Sequence, residues 1–477
     1  MPVTGKIYPH LYDIATVEDL KLDSYLSCWT HAASQNLSED TIYLPFDEDN
    51  WADIGGLGYS LVKSADFTYD PTQGKFGLKH SGKYFIYCSG PVSVTGGDAL
   101  ATIDLWNGVT NIANNGTGVR IINGEGPKDV TLHTIQNMSA GDTFHVQVVV
   151  NDSPNPSDTV VGELGNGWHF TMLRVNSVAG HVRYTADADS TGASASNIDL
   201  YDVPANNGTI ASLTEQCTFD ADQGAFQVDT GGTFMMFSAL QFKTNDAGDT
   251  GGSGNHKFAL EGAQIDELSM GWQPDTDDGS LTEYSMLKEG VAAGNKLKTR
   301  YISAEDAFTA QAGSCFSIFK IGSWHPESDK GATVLGGRLG FGCNEGASDD
   351  FNNATADGDT AIFDHDQWGG ALAVVNTTAA AGDVNFVAAS GRFNLMASEP
   401  TDWFGSISVG MNGDDANTSE GAEANLRLEL AGDEIFRTLT RADADEAAEN
   451  CTIAIIIRQV APAHLVPRLL SFDGRID

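Results

Sequence analysis

The chain has 477 residues, and its 65 aspartates and glutamates outnumber its 26 lysines and arginines, which gives a formal net charge of −39. So acidic a surface repels phosphate backbones, and we expect no nucleic-acid binding. Hydrophobic residues make up 41% of the chain, enough to build real cores and to exclude global disorder. Because the acidity is spread along the whole chain, we interpret it as adaptation to a marine or saline setting.

Two classes of segment are missing from the sequence. No stretch approaches the roughly 18 apolar residues of a membrane-spanning helix. The first twenty residues have neither the basic start nor the apolar centre of a secretory signal. We therefore expect a soluble product that folds in the cytoplasm and has no membrane partner.

Residues 1–35 differ in pattern from the rest of the chain, and we predict an N-terminal arm. Thr16 is a candidate cap of a short helix, and Tyr25, Leu26 and Trp29 would give that helix an apolar side. An equal alternative is that this segment forms the first element of the adjoining domain.

A sequence motif near residue 70 occurs twice, at a fixed offset of 150 residues. Seven positions match with identical spacing, which indicates an internal repeat. They are Tyr69, Asp70, Gln73, Gly74, Phe76, Gly82 and Tyr84 in the first copy and Phe219, Asp220, Gln223, Gly224, Phe226, Gly232 and Phe234 in the second. A fainter third copy is predicted through Gly382, Phe386, Gly391 and Phe393.

Short β-prone runs separated by Gly, Asn, Asp and Pro fill the chain and predict antiparallel sandwiches or barrels. An Ala-Gly turn precedes a strand near Gly141, Gly294 and Gly432, and an apolar strand such as 315–321 or 451–457 is predicted to close a copy. We predict an N-terminal arm (1–35), three tandem β-domains (36–177, 178–322 and 323–460) and a C-terminal tail (461–477).

The first copy resembles the jelly-roll domain of the complement globular-head and tumour-necrosis-factor (TNF) superfamily. The resemblance rests on Phe76, on Gly82-Lys-Tyr84, and on Ile86 and Cys88 at alternate positions before a later Ala-Gly-Asp turn. It implies an all-β chain of three tandem, antiparallel, TNF-like jelly rolls, a fold that usually assembles as a trimer. Similar modules occur as decorations, fibres and knobs on virus particles. The inference from this fold to a role on a virion is an analogy, because a fold alone does not define a function.

The strand after the motif is apolar on both faces. Phe85 and Tyr87 occupy one face of the first copy, and Met235 and Phe237 occupy the same face of the second. Because a strand that faces water alternates with polar residues, these four predict an assembly interface. We expect the covering partner to be a second subunit, in a homotrimer. A sister domain in an intrachain threefold arrangement is the competing geometry, and a loop that covers a central strand is the other alternative.

No sequence pattern of a helical zinc protease, nucleophile elbow or phosphate loop is present, so we expect no enzyme and no cofactor. The six cysteines lie far apart, and Cys88, Cys315 and Cys451, which lie in apolar runs, are predicted to be buried free thiols. Acidic loops at 245–249, 275–279 and 412–415 are candidate calcium ligands, with solvated turns as the alternative.

Two further sets of residues are candidates for binding. The tail is apolar and basic on an acidic chain, so it predicts docking to another capsid protein through Leu465, Arg468, Leu469, Leu470 and Phe472, or else a strand folded back on the third domain. Trp272 and Trp403 are candidates for glycan stacking. We expect a non-enzymatic structural protein on the surface of a virion, such as a bacteriophage of a saline host, with a receptor- or glycan-binding fibre or knob as the alternative.

Overall fold

The computed structural model describes residues 12–16, 24–31, 36–38, 42–47, 59–116, 118–121, 123, 127–152, 161–164, 167–175, 178–189, 197–244, 254–260, 263–264, 270–272, 280–303, 308–321, 337–339, 360–362, 384–387, 392–395, 401–411, 422–442 and 449–473. In these ranges the regular structure is almost entirely β-strand, apart from the helix α1 (Val203–Asn206) and a 3-10 turn at Pro71–Gln73. No helix in these ranges is long and apolar enough to cross a membrane.

The strands fall into three stretches of the chain. The first stretch contains β1 (Tyr12–Thr16), β2 (Tyr25–Thr30), β3 (Asn36–Ser38), β4 (Ile42–Tyr43), β5 (Tyr59–Lys63), β6 (Phe67–Asp70), β7 (Lys75–Leu78), β8 (Gly82–Thr95), β9 (Ala99–Asn107), β10 (Thr110–Asn114), β11 (Val119–Ile121), β12 (Lys128–Met138), β13 (Thr143–Asp152), β14 (Val161–Leu164) and β15 (His169–Val175). The second contains β16 (Ala179–Tyr184), β17 (Ala188–Asp189), β18 (Asn197–Asp199), β19 (Ile210–Glu215), β20 (Cys217–Asp220), β21 (Ala225–Val228), β22 (Gly232–Thr244), β23 (Gly254–Leu260), β24 (Ala263–Gln264), β25 (Met270–Trp272), β26 (Ser280–Val291), β27 (Lys296–Ser303), β28 (Phe308–Ala310) and β29 (Cys315–Ile321). The third contains β30 (Gly337–Leu339), β31 (Thr360–Ile362), β32 (Val384–Val387), β33 (Arg392–Leu395), β34 (Thr401–Met411), β35 (Ala422–Leu430), β36 (Asp433–Ala442), β37 (Glu449–Gln459) and β38 (Ala463–Asp473).

These strands form six antiparallel sheets, which we group into three pairs, each with an inner and an outer sheet. The inner sheets have the orders β3-β14-β8-β15-β2-β5 with β12 on β8, β17-β28-β22-β29-β16-β19 with β26 on β22, and β30-β1-β34-β37. The outer sheets have the orders β10-β9-β13-β7-β6 with β11 on β9 and β4 on β13, β20-β21-β27-β23-β24 with β18 on β27 and β25 on β23, and β32-β33-β38-β35-β36 with β31 on β38. The predicted all-β, antiparallel fold class is confirmed.

Alternating side chains fill the space between the inner and outer sheet of a pair. In the first pair, Phe76 of the outer sheet stacks on Phe170 of the inner sheet, with ring centroids 5.0 Å apart. In the second pair, the tilted rings of Phe226 and Phe316 make the equivalent contact, with centroids 5.5 Å apart. The apolar positions of period two in the sequence therefore build two sandwich cores.

The repeated motif forms the turn that connects two neighbouring strands of an outer sheet. The Asp70 carboxylate accepts a hydrogen bond from the backbone N–H of Thr72, and Gly74 ends the turn with φ +56°. A Cβ on Gly74 would lie 3.0 Å from the backbone nitrogen of Asp47, so the position favours glycine on both counts. Gly224 has φ +57° at the equivalent point, which explains why the motif recurs.

The helix that we predicted around Tyr25, Leu26 and Trp29 is wrong in its described part. Tyr25–Thr30 is strand β2, paired between β15 and β5 of the first inner sheet. Its side chains alternate in direction: Leu26 packs inside the first pair, and Trp29 packs between the first pair and the third. Residues 17–23 lie outside the described ranges.

The third copy aligns differently from the sequence prediction. Phe386 is paired with Phe393, as Tyr69 is with Phe76 and Phe219 with Phe226. In each of these three pairs of residues, the two members are seven positions apart in the sequence. Phe393 therefore takes the place of Phe76, a place that the sequence prediction had given to Phe386. The predicted marker residues Gly382 and Gly391 lie outside the described ranges.

The strand predicted to close the third copy is also assigned differently. β37 pairs with β34 along its whole length, as β12 pairs with β8. Leu465, six residues after the end of β37, then pairs with Phe393, as Phe144 pairs with Phe76. β37 thus corresponds to β12 and β26, whereas Ala431-Gly432 is a hairpin turn between β35 and β36 of one outer sheet.

The closing position of the third inner sheet is filled by the N-terminal strand. β1 lies between β30 and β34, as β15 lies between β2 and β8 and β29 lies between β16 and β22. The N-terminal segment therefore belongs to the third sheet pair, although it precedes the first in the sequence.

Substitution of Gly167 tests how closely the first and third pairs approach. The backbone of Gly167 has φ +96°, and an added Cβ would lie 2.2 Å from the carbonyl oxygen of Arg437. Gly141 has φ +90° with nothing within 4 Å, so Gly141→Ala is a matched control. Both variants are expected to lose about 1–2 kcal/mol to backbone strain, and Gly167→Ala about 1–3 kcal/mol more, in urea unfolding. Equal losses in the two variants would contradict this close approach.

Candidate assembly interface

The four residues that predict an assembly interface are buried inside a single chain. Phe85, Tyr87, Met235 and Phe237 are each at most 1% exposed. The ring of Phe85 lies 4.7 Å from that of Phe237 and 4.9 Å from that of Phe319, and Tyr87 lies 5.9 Å from Phe237. The inner faces of the first and second pairs are therefore covered by each other.

The third pair contributes equivalent positions. Leu465 and Phe144 correspond, so the residues of β37 and β12 correspond at the same offset in the sequence. Because β37 pairs with β34 and β12 pairs with β8, Trp403 takes the position of Tyr84. This correspondence defines three layers of inner-face positions, and each member of the layers is buried. They are Phe85, Met235 and Phe404, then Tyr87, Phe237 and Ser406, and last Ser89, Ala239 and Ser408.

The pairs contact each other in the same sense around the centre. β12 of the first pair packs against β29 and β16 of the second, and β37 of the third packs against β15 and β2 of the first. β26 of the second packs against β34 and β37 of the third. Since β12 and β37 correspond, as do β29 and β15, the contact of the first pair with the second and that of the third pair with the first are related by a pseudo-threefold rotation, whereas the contact of β26 with β34 and β37 involves different strands.

Hydrogen bonds repeat this relation at one level of the axis. The ring Nδ1 of His133 lies 3.1 Å from the hydroxyl of Ser317, between the first and second pairs. The hydroxyl of Thr171 donates to the carbonyl oxygen of Ala454 at 2.6 Å, between the third and first pairs. His133 corresponds to Ala454, and Ser317 corresponds to Thr171. At the same position, a hydroxyl group therefore contacts a histidine side chain in one interface and a backbone carbonyl oxygen in the other.

The second and third pairs meet through hydroxyl groups. The hydroxyl of Ser285 lies 2.5 Å from that of Ser406 and 2.8 Å from that of Ser408. Ser408 continues to the hydroxyl of Thr452 at 2.9 Å. The central interface is thus apolar at the Phe85 layer and polar at the Ser89 layer. Each of these hydroxyl hydrogen bonds forms only when both partners are correctly placed.

Outside the centre, the third and first pairs are joined by polar contacts at their rim. The indole N–H of Trp29 donates to the carbonyl oxygen of Ile435 at 2.8 Å. Asp402 accepts the hydroxyl of Tyr25 at 2.6 Å and a two-point contact from Arg458 at 2.6 and 2.7 Å. Burial of the Tyr25 hydroxyl against Asp402 raises the pKa of that phenol.

Glu283 brings a carboxyl group to the polar layer, and it is 2% exposed. Burial in the protein interior raises the pKa of Glu283 to about 8, with the neighbouring Asp129 carboxyl adding to the rise. The oxygen of Tyr87 lies 3.2 Å from Glu283 Oε2 and 2.6 Å from the carbonyl oxygen of Thr452. The Tyr87 hydroxyl has a single hydrogen, and the carbonyl oxygen of Thr452 is the nearer of its two acceptors.

A cysteine and two histidines lie together between the first and second pairs. Cys315 Sγ is 3.3 Å from His133 Nε2, and the Ser317 hydroxyl is 2.8 Å from His181 Nδ1. Burial lowers the pKa of His181 to about 3 and that of His133 well below its usual range, and it raises the pKa of Cys315. A nucleophilic cysteine needs a lowered pKa and access to substrate, so this group is a neutral packing element.

The predicted docking residues all belong to one strand of an outer sheet. Leu465 is fully buried against the third core, and β38, which carries Arg468, Leu469, Leu470 and Phe472, lies between β33 and β35. The alternative of a strand folded back on the third domain is therefore the observed one for 463–473. Docking through these residues remains a prediction, and Leu465 is not available for it.

The two tryptophans of the glycan-binding alternative are placed differently from each other. Trp403 is 1% exposed, so its ring cannot stack on a sugar from solvent. Trp272 is the last residue of β25, which pairs with β23 in the second outer sheet. The glycan hypothesis consequently rests on Trp272 alone.

Candidate ligands for a metal receive no support from the described ranges. Within them, no group of three or more His, Cys, Asp or Glu side chains is placed to hold an ion. The acidic loops at 245–249, 275–279 and 412–415 lie outside the described residues. The five cysteines that the structure describes are all buried and free, which confirms the prediction for Cys88, Cys315 and Cys451.

Sequence reasoning missed the polar half of the interface. Glu283 and Ser285 alternate along β26 with the buried Tyr284 and Met286. That alternation is the pattern of a strand with one face in water, so it gives no signal that Glu283 and Ser285 face another sheet.

No protein-family model and no curated protein sequence matches the chain. A solved structure of Eiger TNF from S. frugiperda aligns with 32% of this chain and 91% of its own, at 10% identity and a TM-score of 0.21. The N-terminal CBM22-1–CBM22-2 tandem domain of Xyn10C from Paenibacillus barcinonensis aligns with 66% of this chain and 99% of its own, at 9% identity and a TM-score of 0.17.

Truncation of Phe237 tests the apolar layer of the interface. Phe237→Ala leaves a cavity against Phe85 and Tyr87, and we expect it to lower the free energy of unfolding by about 3–5 kcal/mol in urea denaturation. Val109 is 91% exposed, so Val109→Ala is the control and should change stability by less than about 0.5 kcal/mol. A loss at Phe237 no larger than at Val109 would show that the pairs do not pack as described.

Glu283→Gln tests the buried carboxyl group through pH. Glu283 binds its proton up to about pH 8 when folded but only to about 4.5 when unfolded, so stability falls with rising pH between these values, by at most about 1.4 kcal/mol per unit. Glutamine cannot ionise, so the variant's stability relative to the parent should increase from pH 5 to pH 8 in thermal unfolding. Asp222→Asn removes an exposed carboxylate as the control. A constant difference across this range would contradict the raised pKa.

Proposed function

We propose that the chain is a non-enzymatic structural protein of a virion, a capsid decoration or surface appendage. The observation that carries the proposal is the mutual burial of the three inner sheets, which commits the most distinctive side chains to packing. Phe85, Phe237 and Phe404 illustrate this, since each is at most 2% exposed. A protein that serves as a rigid, acidic body on a particle has this distribution of apolar and charged residues.

The pseudo-threefold arrangement supports a particular kind of partner. A body with approximate threefold rotation presents three similar outer surfaces, so it complements a threefold or locally threefold site on a protein shell. We propose other capsid or appendage proteins as partners, with assembly in the host cytoplasm and a final position on the virion surface. The net charge of −39 argues against nucleic acid as a partner.

A single chain is the threefold unit in this proposal. The homotrimer expected from the sequence would bury Phe85, Tyr87, Met235 and Phe237. These four side chains are already buried within one chain. A homotrimer would therefore need a different surface, such as the outer sheets or their loops.

Mass in solution separates the two arrangements. We expect light scattering coupled to size-exclusion chromatography to give about one chain mass, 50.6 kDa, at micromolar concentration. Phe237→Ala should weaken folding without changing the number of chains. A stable mass near three chains would overturn the single-chain unit and restore the homotrimer.

The virion role is tested by the location of the chain. Mass spectrometry of purified particles from the source virus should find the chain in a fixed ratio to the major shell protein. Its release by mild salt or chelator with the shell intact would support a decoration. Absence from purified particles, with presence in the infected-cell lysate, would refute the proposal.

A further inference from the structure

The third inner sheet is completed by a strand from the opposite end of the chain. We propose that the gap between β30 and β34 is a strand-acceptor site, which binds residues 12–16 as a separable peptide. This inference concerns the closure of the molecule and does not depend on the virion role.

The register of β1 reproduces that of the other two closing strands. Asp13, Ile14 and Ala15 pair with Ser406, Gly405 and Phe404. Thr171, Met172 and Leu173 pair with Tyr87, Ile86 and Phe85, and Ser317, Ile318 and Phe319 pair with Phe237, Met236 and Met235. Because these partners occupy corresponding positions of β34, β8 and β22, the three closing strands are equivalent position by position.

The residue types have the same order in all three strands. Residues 12–16 read Tyr-Asp-Ile-Ala-Thr, residues 170–174 read Phe-Thr-Met-Leu-Arg and residues 316–320 read Phe-Ser-Ile-Phe-Lys. Each has an aromatic residue, a polar residue, an aliphatic residue, an apolar residue and a polar or basic residue. The N-terminal segment therefore has the composition that this position uses elsewhere in the molecule.

Chain connectivity gives the same assignment. In the first pair the closing strand β15 ends at Val175, and the opening strand of the next pair begins at Ala179. In the same way, β1 is followed by β2, the opening strand of the first pair, and residues 17–24 connect the two strands. The break in the cycle of strands lies between β38 and β1, so β1 is joined through the backbone to the first pair and not to the pair that it completes.

The site on β30 and β34 has the properties of a peptide acceptor. Without β1, both strands would present unpaired N–H and C=O groups at facing edges, and an extended peptide satisfies both sets. Five residues whose covalent tether leads to another pair can leave such a site without unfolding a whole sheet pair. The tether raises the local concentration of the chain's own strand, which therefore outcompetes a free peptide.

Peptide binding to the full chain tests the site. Ile14→Pro removes a backbone donor in the middle of β1 and should vacate the site, whereas Thr4→Pro, ten positions earlier in the sequence, is the matched control. A fluorescein-labelled peptide of residues 8–19 is the probe, followed by fluorescence anisotropy. We expect saturable binding to the Ile14→Pro chain and at least about tenfold weaker binding to the Thr4→Pro and unaltered chains.

The outcomes are decisive when the circular dichroism of the Ile14→Pro chain matches that of the parent. No binding to this folded variant, or equal binding to all three chains, would overturn the proposal. A peptide of residues 8–19 that itself carries Ile14→Pro should not bind.

A second measurement covers the case in which Ile14→Pro fails to fold. A site-specific protease sequence placed between Thr16 and Tyr25 of the full chain allows the tether to be cut after folding. We expect the N-terminal fragment to co-elute with the rest of the chain, and an excess of the 8–19 peptide to displace it. Immediate loss of the fragment, with the remainder still folded, would refute strand binding at this site.

Discussion

The structure depends on the burial of both faces of three central strands. β8, β22 and β34 each place one face inside their own sandwich and the other against the sister sheets. In β8, Tyr84 and Ile86 are buried inside the first pair, whereas Phe85 on the opposite face is buried against Phe237 of the second pair. The three pairs form one continuous body because their described inner faces cover one another.

Apolar packing alone would not fix how the pairs are rotated about the centre, since hydrophobic contact has little directionality. The polar layer supplies direction. Ser285, Ser406 and Ser408 form short hydroxyl contacts between the second and third pairs, and the hydroxyl of Tyr87 reaches Thr452 in the third. Glu283 adds a buried carboxyl group to this layer, and its pKa is raised because burial disfavours the charged form. The interface is apolar where area stabilises it and polar where geometry selects a single arrangement.

The N-terminus shows how a cyclic arrangement can be encoded in a linear chain. Three repeats joined head to tail leave one junction to be closed between the last and the first. The chain closes it with β1, which completes the third inner sheet and then leads directly into β2 of the first. This placement ties the first and third pairs together through the backbone, whereas the other contacts between them are made by side chains such as Trp29 and Tyr25.

Sequence by itself determined the all-β class, the first two copies of the motif and the need to cover Phe85, Tyr87, Met235 and Phe237. These features obey local rules, since strand alternation and the glycine of a tight turn are set by neighbouring residues. Only the tertiary structure decided what covers those faces, because a sister sheet and a second subunit place the same demand on a strand. It alone decided that Tyr25–Thr30 is a strand, that 463–473 lies in a sheet and that residues 12–16 close the third pair. Those assignments join residues hundreds of positions apart, and pairing over such distances is specified by register and packing, on which local sequence carries no mark.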